Sequence, residues 1–361
     1  MKIKQLSLIF KNKKVLITGN TGFKGSWLSL WMIKFGAKVY GYSNNIPTNP
    51  SNYKSLGLNK KITQIFGDVR DKEKFEKKIK LIKPDFIFHL AAQAIVKDSY
   101  QNPYKTWETN TFGTINLLEA LKKFKKSCTV IIITSDKSYK NLELKRGYKE
   151  NDILGGKDPY SASKASADIA VYSYVNSFFP VSKNIKIAVA RAGNVIGGGD
   201  WTKDRLIPDC MKSWSNRKKI IIRNPNSTRP WQHVLEALSG YLFLAYYLNK
   251  KRGINGEAFN FGPSKNSNYT VLNILKILEK KLSKFNWSVE KSDKKFYESK
   301  LLKLNCYKAT KKLGWKSILS IDEILDYLAI WYNFYYKKNK NLYNFSLNQI
   351  DEFEKILDKK L

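Results

Sequence analysis

Short runs of β-branched and aromatic residues recur along the chain, each closed by a cluster of Gly, Ala, Ser or Asn. They are Val15-Leu16-Ile17, Val39-Tyr40, Phe86-Ile87-Phe88-His89-Leu90, Val130-Ile131-Ile132-Ile133 and Ile187-Ala188-Val189-Ala190. These runs are apolar throughout rather than alternating, the pattern of strands buried on both faces and hence of a parallel sheet. Between them the spacing predicts helices over Ser26 to Phe35, Lys72 to Ile82 and Thr114 to Phe124. Strand–helix alternation of this kind implies a doubly wound α/β sheet. In such sheets ligands lie beyond the carboxyl ends of the strands, so the residues following each run carry the functional information.

After about residue 195 the rhythm changes. Gly197-Gly198-Gly199-Asp200-Trp201 marks the shift, and helices are predicted over His233 to Leu248, Val271 to Leu282 and Ile321 to Tyr335. The reading is a sheet domain over 1–195 and a smaller, less regular C-terminal substrate domain over 196–361. Parts of 231–263 are expected to return to the first domain. No internal repeat is visible, and the charged stretch from Lys337 to Leu361 reads as a terminal helix without a chemical role.

Composition narrows the classes. With 43% hydrophobic and 14% aromatic residues the chain can bury a core, which argues against global disorder. No apolar run approaches the ~18 residues that a membrane span needs, and Leu6-Ser7-Leu8-Ile9-Phe10 is too short for a signal-peptide core. Three scattered cysteines (Cys128, Cys210, Cys306) give neither a disulfide framework nor a metal-ligand spacing, so no metal is expected and the compartment is read as a reducing cytoplasm. Lys and Arg number 65 against 30 Asp and Glu, a formal charge of +35. That raises a polyanion-binding reading. The lysines are spread over the whole chain and no nucleic-acid-binding motif accompanies them, so the expectation is a solvated basic surface with no specific nucleic-acid partner.

Directly after the first run stands Thr18-Gly19-Asn20-Thr21-Gly22-Phe23-Lys24-Gly25, followed by an apolar helix. Glycines allow a sharp turn and a close backbone approach to a pyrophosphate, whose charge meets the helix N-terminus. The strand–turn–helix context that this motif requires is present, which makes the sheet Rossmann-like. The second strand ends Gly41-Tyr42-Ser43-Asn44-Asn45, with neither a carboxylate for a ribose 2′-hydroxyl nor an arginine for a 2′-phosphate. Ser43 or Asn44 can hydrogen-bond a hydroxyl, which favours NAD over NADP.

Tyr160 and Lys164 stand four apart in Tyr160-Ser161-Ala162-Ser163-Lys164, on one face of a predicted helix. An ammonium ~5 Å from a phenol favours phenolate by about 3 kcal/mol at an effective dielectric near 20, roughly two pKa units. A phenol so shifted is a usable base for a sugar hydroxyl. The third element is Thr134-Ser135-Asp136-Lys137-Ser138-Tyr139, again at the end of a buried strand. There Ser135 can hydrogen-bond the reacting hydroxyl.

The glycine spacing at 19, 22 and 25 and the set Ser135, Tyr160 and Lys164 resemble the extended short-chain dehydrogenase/reductase family of NAD-dependent epimerases and dehydratases. The stretches Thr21 to Leu28, Ala190 to Trp201 and Arg229-Pro230-Trp231-Gln232-His233-Val234, with Asp136-Lys137, look like its CDP-glucose 4,6-dehydratase branch. The resemblance runs from about Lys13 to Tyr335. It implies a catalytic set of Ser135, Asp136, Lys137, Tyr160 and Lys164, with Asp136 as acid for a departing 6-hydroxyl and Lys137, where the dTDP-glucose branch has Glu, as base at C5. NAD contacts are implied at Thr18, Gly19, Gly22, Phe23, Gly25, Asp68, Val69, Leu90, Ala91, Ala92 and Thr134, besides Tyr160 and Lys164. For the nucleotide-sugar substrate (CDP-glucose) the implied contacts are Gln93, Asn194, Arg205 and Arg229, with His233 near the nucleotide. A homodimer or higher homo-oligomer is implied as well. His89, inside an apolar strand, reads as a core residue. The competing readings are an NDP-sugar epimerase or a dTDP/GDP-sugar dehydratase on the same scaffold, and more distantly a non-enzymatic polyanion-binding protein.

Overall fold

The computed structural model describes residues 2–144, 146–179, 184–222, 224–250, 253–263, 268–290 and 302–361. Seven parallel strands form the central sheet: β1 (Lys14–Thr18), β2 (Lys38–Ser43), β3 (Thr63–Phe66), β4 (Phe86–His89), β5 (Cys128–Ile133), β6 (Ile185–Ala192) and β7 (Ala258–Phe261). Their order across the sheet is β7-β6-β5-β4-β1-β2-β3. Every residue of β4 and β5 is buried, as apolar runs covered by helices on both faces must be. The order reverses between β1 and β4, and the loops leaving these two strands part there to open a crevice.

The predicted helices appear as Phe23–Lys34, Lys72–Ile82 and Gly113–Lys122, and the catalytic-motif helix runs Pro159–Phe178. The Asp158 side chain caps that last helix by accepting from Ser161 N–H at 2.9 Å, and Pro159 fills its first turn. Helix Val234–Lys250 packs on β5 and β6, and the C-terminal region adds helices Leu206–Ser215, Val271–Lys281, Ile321–Tyr336 and Leu342–Lys360 with small strand pairs.

Strand β7 joins the main sheet beside β6, in register Ala258 with Val189 to Phe261 with Ala192. The last helix is charged outside yet buries Ile350, Phe353 and Leu357. It packs on helix Phe23–Lys34, where the Trp31 indole donates to Glu354 at 2.7 Å. On the same helix the Trp27 indole donates to Gly198 O at 2.8 Å, tying the glycine loop's helix to the start of the C-terminal region. Among the described residues no helix is long and apolar enough to cross a membrane.

Candidate active site

The turn after β1 is held by backbone geometry. Gly19 has φ +70°, and a Cβ there would lie 2.8 Å from Ala91 N and 2.9 Å from the Leu90 carbonyl carbon, so only glycine fits. At Gly25 a Cβ would meet Gly19 O at 2.3 Å, which locks turn and helix together. Gly22 differs, since a Cβ there would make one ordinary contact of 3.4 Å. No side chain caps the helix that begins after it, so its first amides have no side-chain acceptor. A small turn and an uncapped helix start suit a pyrophosphate.

Thr18 closes the crevice floor. Its hydroxyl accepts from Ala91 N–H at 3.1 Å and is hydrogen-bonded to His89 Nδ1 at 2.9 Å. Burial holds His89 neutral, its pKa lowered to about 3. At the crevice's outer end, Ser43 is turned inward and donates to Asn20 Oδ1 at 2.8 Å, leaving Asn44 at the rim, 3.5 Å from Asp68. Asp68 is gripped by Arg70 at 2.8 and 3.1 Å, and this guanidinium pulls its carboxyl below the usual range against the opposing effect of burial. Arg70 also reaches Glu108 at 3.3 Å. An arginine does therefore stand near the second strand's end, supplied from beyond β3 and already paired. The half-buried Leu90, Ala91 and Ala92 follow β4 beside this floor.

Ser135 and Asp136 follow β5 and are both 5% exposed, so their polar groups meet each other rather than water. Ser135 Oγ–H donates to Asp136 Oδ1 at 2.9 Å, and Lys137 N–H donates to Ser135 Oγ at 3.1 Å. Burial raises the Asp136 carboxyl above its ordinary pKa, opposed by Lys137, by the Ser135 hydrogen bond and by Lys24. Ser135 and Asp136 both act on the Tyr160 phenol, while Lys164 donates to Ile133 O at 3.1 Å. The structure thus brings Ser135, Asp136, Tyr160 and Lys164 to one place.

The phenol's pKa moves against the expectation from spacing. It is raised, because burial outweighs Ser135 and Arg205, and Asp136 and Asp158 add to the rise. Burial and the neighbouring Lys24 lower Lys164 to about 8.

Behind this set lies a network that sequence spacing does not announce. Thr134 Oγ1–H donates to Asp168 Oδ2 at 2.9 Å, and Arg191 grips the same carboxylate at 3.1 and 3.2 Å. Arg191 continues to the Tyr139 hydroxyl at 2.8 Å, which donates to Asn260 at 2.7 Å. A sequence signal did exist: Asp168 is four residues beyond Lys164, on the helix face that carries Tyr160.

The residues expected to hold substrate are dispersed around the mouth. Gln93 is fixed through its backbone by Asn110 at 2.8 Å, and its Oε1 is buried without a partner. Asn194 is exposed after β6, Arg205 pairs with Asp200 at 3.3 Å, and Arg229 lies in the short strand Thr228–Pro230. His233 is set apart. It is fully buried under Gly197, beside the Tyr327 ring at 5.2 Å, and burial lowers it to about 3. Against the expectation of a place near the nucleotide, its ring is packed into the core and does not open on the crevice.

Comparison with known proteins completes the description. The chain is 44% identical to the CDP-glucose 4,6-dehydratase of Salmonella typhimurium, over 90% of this chain and 91% of that one. It is 26% identical to the CDP-paratose 2-epimerase of Salmonella typhi, covering 88% and 98%. Among solved structures, an epimerase from Methanothermobacter thermautotrophicus matches with a TM-score of 0.80 at 23% identity, covering 93% and 96%. A dTDP-glucose 4,6-dehydratase from Bacillus anthracis, in complex with NAD, matches with 0.74 at 23%, covering 91% and 99%. These two likenesses speak for the fold. A family model described as GDP-mannose 4,6 dehydratase matches residues 16–328, nearly all of the sheet and the region beyond it, and the chain belongs to that family.

Proposed function

We propose that this chain dehydrates CDP-glucose to CDP-4-keto-6-deoxyglucose with tightly held NAD. The observation that carries the reading is the 44% identity, over nine-tenths of both chains, to a CDP-glucose 4,6-dehydratase, in a chain whose Ser135 is followed by Asp136-Lys137. The turn Thr18 to Gly25 would hold the cofactor's pyrophosphate, Asp68 and Val69 its adenine end, and Leu90, Ala91, Ala92, Thr134, Tyr160 and Lys164 its nicotinamide end. Bound there, NAD would supply the acceptor for the hydride leaving C4 and the donor of the hydride returned at C6.

The remaining chemistry belongs to side chains. Tyr160, acted on by Ser135 and ionised once its own proton has passed to solvent, takes the proton of the 4-hydroxyl. The ketone formed acidifies the C5 hydrogen, which Lys137 removes. Asp136 gives its proton to O6 as the C6–O6 bond breaks and the C5–C6 π bond forms, so water departs. Burial favours the protonated carboxyl that this step needs. Gln93, Asn194, Arg205 and Arg229 hold sugar and diphosphate, and His233 supports the Gly197 loop from beneath. Residues 1–195 serve the cofactor and 196–361 the substrate, with β7 an exception inside the main sheet.

The site would operate in the cytoplasm. Tyr100, Tyr104, Phe112, Ile169 and Tyr172 are all exposed on the helical segments 96–112 and 159–178, and a homodimer would cover them.

Incubating the purified chain with CDP-glucose and dTDP-glucose in parallel tests the reading. Product mass should fall by one water with CDP-glucose, without net accumulation of reduced nicotinamide. An isomer of unchanged mass would mark an epimerase, and a stoichiometric rise in reduced nicotinamide a simple dehydrogenase.

A further inference from the structure

Away from the crevice, two helices of the C-terminal region leave a groove between them. Helix Ile321–Tyr336 forms one wall and helix Leu342–Lys360 the other, around a cavity of about 570 Å³, a volume in the range of small-molecule sites. Ile330, Phe345 and Ile356 give it apolar surface. Tyr327 and Gln349 line it from opposite walls, and both are more than nine-tenths buried. Gln349 spends its amide nitrogen on Tyr327 O at 2.9 Å. Its Oε1 and the Tyr327 hydroxyl are buried with no partner among the described residues. Buried polar atoms are ordinarily satisfied, so two orphans on the walls of one groove point to a polar ligand between them.

The charged lining decides the sign of that ligand. On a chain of +35 the groove carries Glu323, Asp326 and Glu352 against Lys355 alone. Asp326 is held by Lys281 at 2.5 Å, and Glu323 accepts from Ser320 N–H at 2.7 Å with Lys360 at 3.5 Å. Glu352 makes no hydrogen bond or ion pair among the described residues. It stands three residues beyond Gln349, on the same face of its helix. Gln349 Oε1 can only accept, and the phenol of Tyr327, raised by burial and then by Glu352 and Glu323, keeps its proton. A cation rich in N–H donors, carried on an apolar body, answers each of these features.

We propose that this groove is an effector site for a small organic cation, a guanidinium or primary ammonium on an apolar body, which donates to Gln349 Oε1 and Glu352. Its occupancy reaches the substrate side through the wall helix. The Tyr327 ring stands 5.2 Å from the His233 ring, and a Cβ on Gly197 would lie 3.3 Å from His233 Nε2. A Cβ on Gly198 would lie 2.1 Å from Trp331 Cγ, and the Tyr332 hydroxyl donates to Asp200 O at 2.5 Å. One helix thus grips the loop that leads to Arg205. The other wall braces the cofactor helix, where Glu354 accepts from Trp31 at 2.7 Å and pairs with Lys34 at 2.5 Å. A ligand that bridges the walls fixes these two helices against each other. Its affinity and that of the sugar nucleotide must then change by the same factor.

The test uses the full chain and phenethylguanidinium, with neutral phenethylurea as a control of the same shape. Calorimetry is expected to show one-to-one binding of the cation, with the urea weaker by about 10-fold or more. Gln349→Leu and Glu352→Gln should each weaken binding at an unchanged thermal midpoint. Ile330→Trp fills the groove from a position that is 55% exposed and should abolish it. Saturating cation should shift the Kd for CDP-glucose by about 5-fold or more, read in Tyr160→Phe so that no turnover intervenes, and CDP-glucose should shift the cation's Kd equally. No binding at millimolar cation, equal binding of the urea, or binding that survives Ile330→Trp overturns the site. Binding that leaves the CDP-glucose affinity unmoved overturns its effector role. The choice of CDP-glucose rests on the dehydratase reading, whose failure would show separately in wild-type chain that forms no 4-keto-6-deoxy product.

Discussion

Replacing Arg191 by Met interrogates the buried pair that braces the catalytic strand end. The Arg191 and Asp168 side chains are 5% and 2% exposed, so water cannot take over for a missing partner. Arg191→Met removes both hydrogen bonds to Asp168, the donor at Tyr139 and the guanidinium 4.9 Å from the Tyr139 ring. Breaking a buried pair by deleting one member costs about 3–5 kcal/mol. At ~2.1 cal/mol/K per residue, a chain of this length unfolds with an entropy near 0.8 kcal/mol/K, so the midpoint should fall by ~4–7 °C. Thermal unfolding followed by circular dichroism reads this directly. The variant Arg191→Met/Asp168→Leu removes the stranded carboxylate and should recover part of the loss, because two apolar groups leave no uncompensated charge. Thr134 bonds Asp168 and precedes Ser135, so the single variant should also lower the C4 oxidation rate more than it weakens substrate binding. A midpoint within ~1 °C of wild type, or a double variant as unstable as the single, would refute the assignment of the pair as a brace.

Tyr160→Phe should lower C4 oxidation by ~10²–10⁴-fold with an unchanged thermal midpoint, and ordinary turnover in single-turnover kinetics would remove the phenol from the mechanism. The Tyr160 phenol itself should titrate above its ordinary 10 in the protein without dinucleotide, seen as an ultraviolet difference signal absent from Tyr160→Phe; a signal below that value would contradict the effect of burial. Gly19→Ala forces a side chain to φ +70° against the Ala91 backbone, a strain of ~1–2 kcal/mol for the dihedral alone, and should weaken NAD binding measured by calorimetry. His89 and His233 are held near pKa 3 when folded and return to about 6.5 when unfolded, so the unfolded chain binds more protons between those values. Stability should therefore fall as pH drops from 6.5 towards 3, and His233→Gln should reduce that slope in denaturant titrations by about one proton.

The inner strands were legible because burial on both faces leaves only apolar residues, and this is why Phe86 to Leu90 and Val130 to Ile133 announce themselves. Strand β3 escaped the same signal. It lies at the sheet edge, with Thr63 and Phe66 exposed, so its four residues show no apolar run. Strand β7 is four residues long and reaches the sheet only after some sixty residues spent elsewhere, so the return of parts of 231–263 was legible as a region and not as a strand. In the last helix, Ile350, Phe353 and Leu357 make a narrow apolar stripe that the surrounding charges outnumber.

The same contrast between local and distant information governs the site. Glycine spacing, Tyr160 with Lys164 and Ser135 with Asp136 each sit within a few residues, so type and spacing carry them. Arg191 reaches Asp168 and Tyr139 only because β5 and β6 are neighbours. Spacing also misjudges the phenol's pKa, for an instructive reason. An i to i+4 relation supplies the Coulomb attraction of Lys164, but it says nothing of how far both groups leave water. In the folded chain desolvation dominates, raising Tyr160 and lowering Lys164 together. A pair moved in these directions leaves the phenol protonated near neutral pH. That proton must pass to solvent before the phenol can accept the proton of the 4-hydroxyl, a loss that the 4-hydroxyl, Ser135 and the positive charge of an oxidised nicotinamide would favour. Burial thus makes the base weak until substrate and cofactor are both in place.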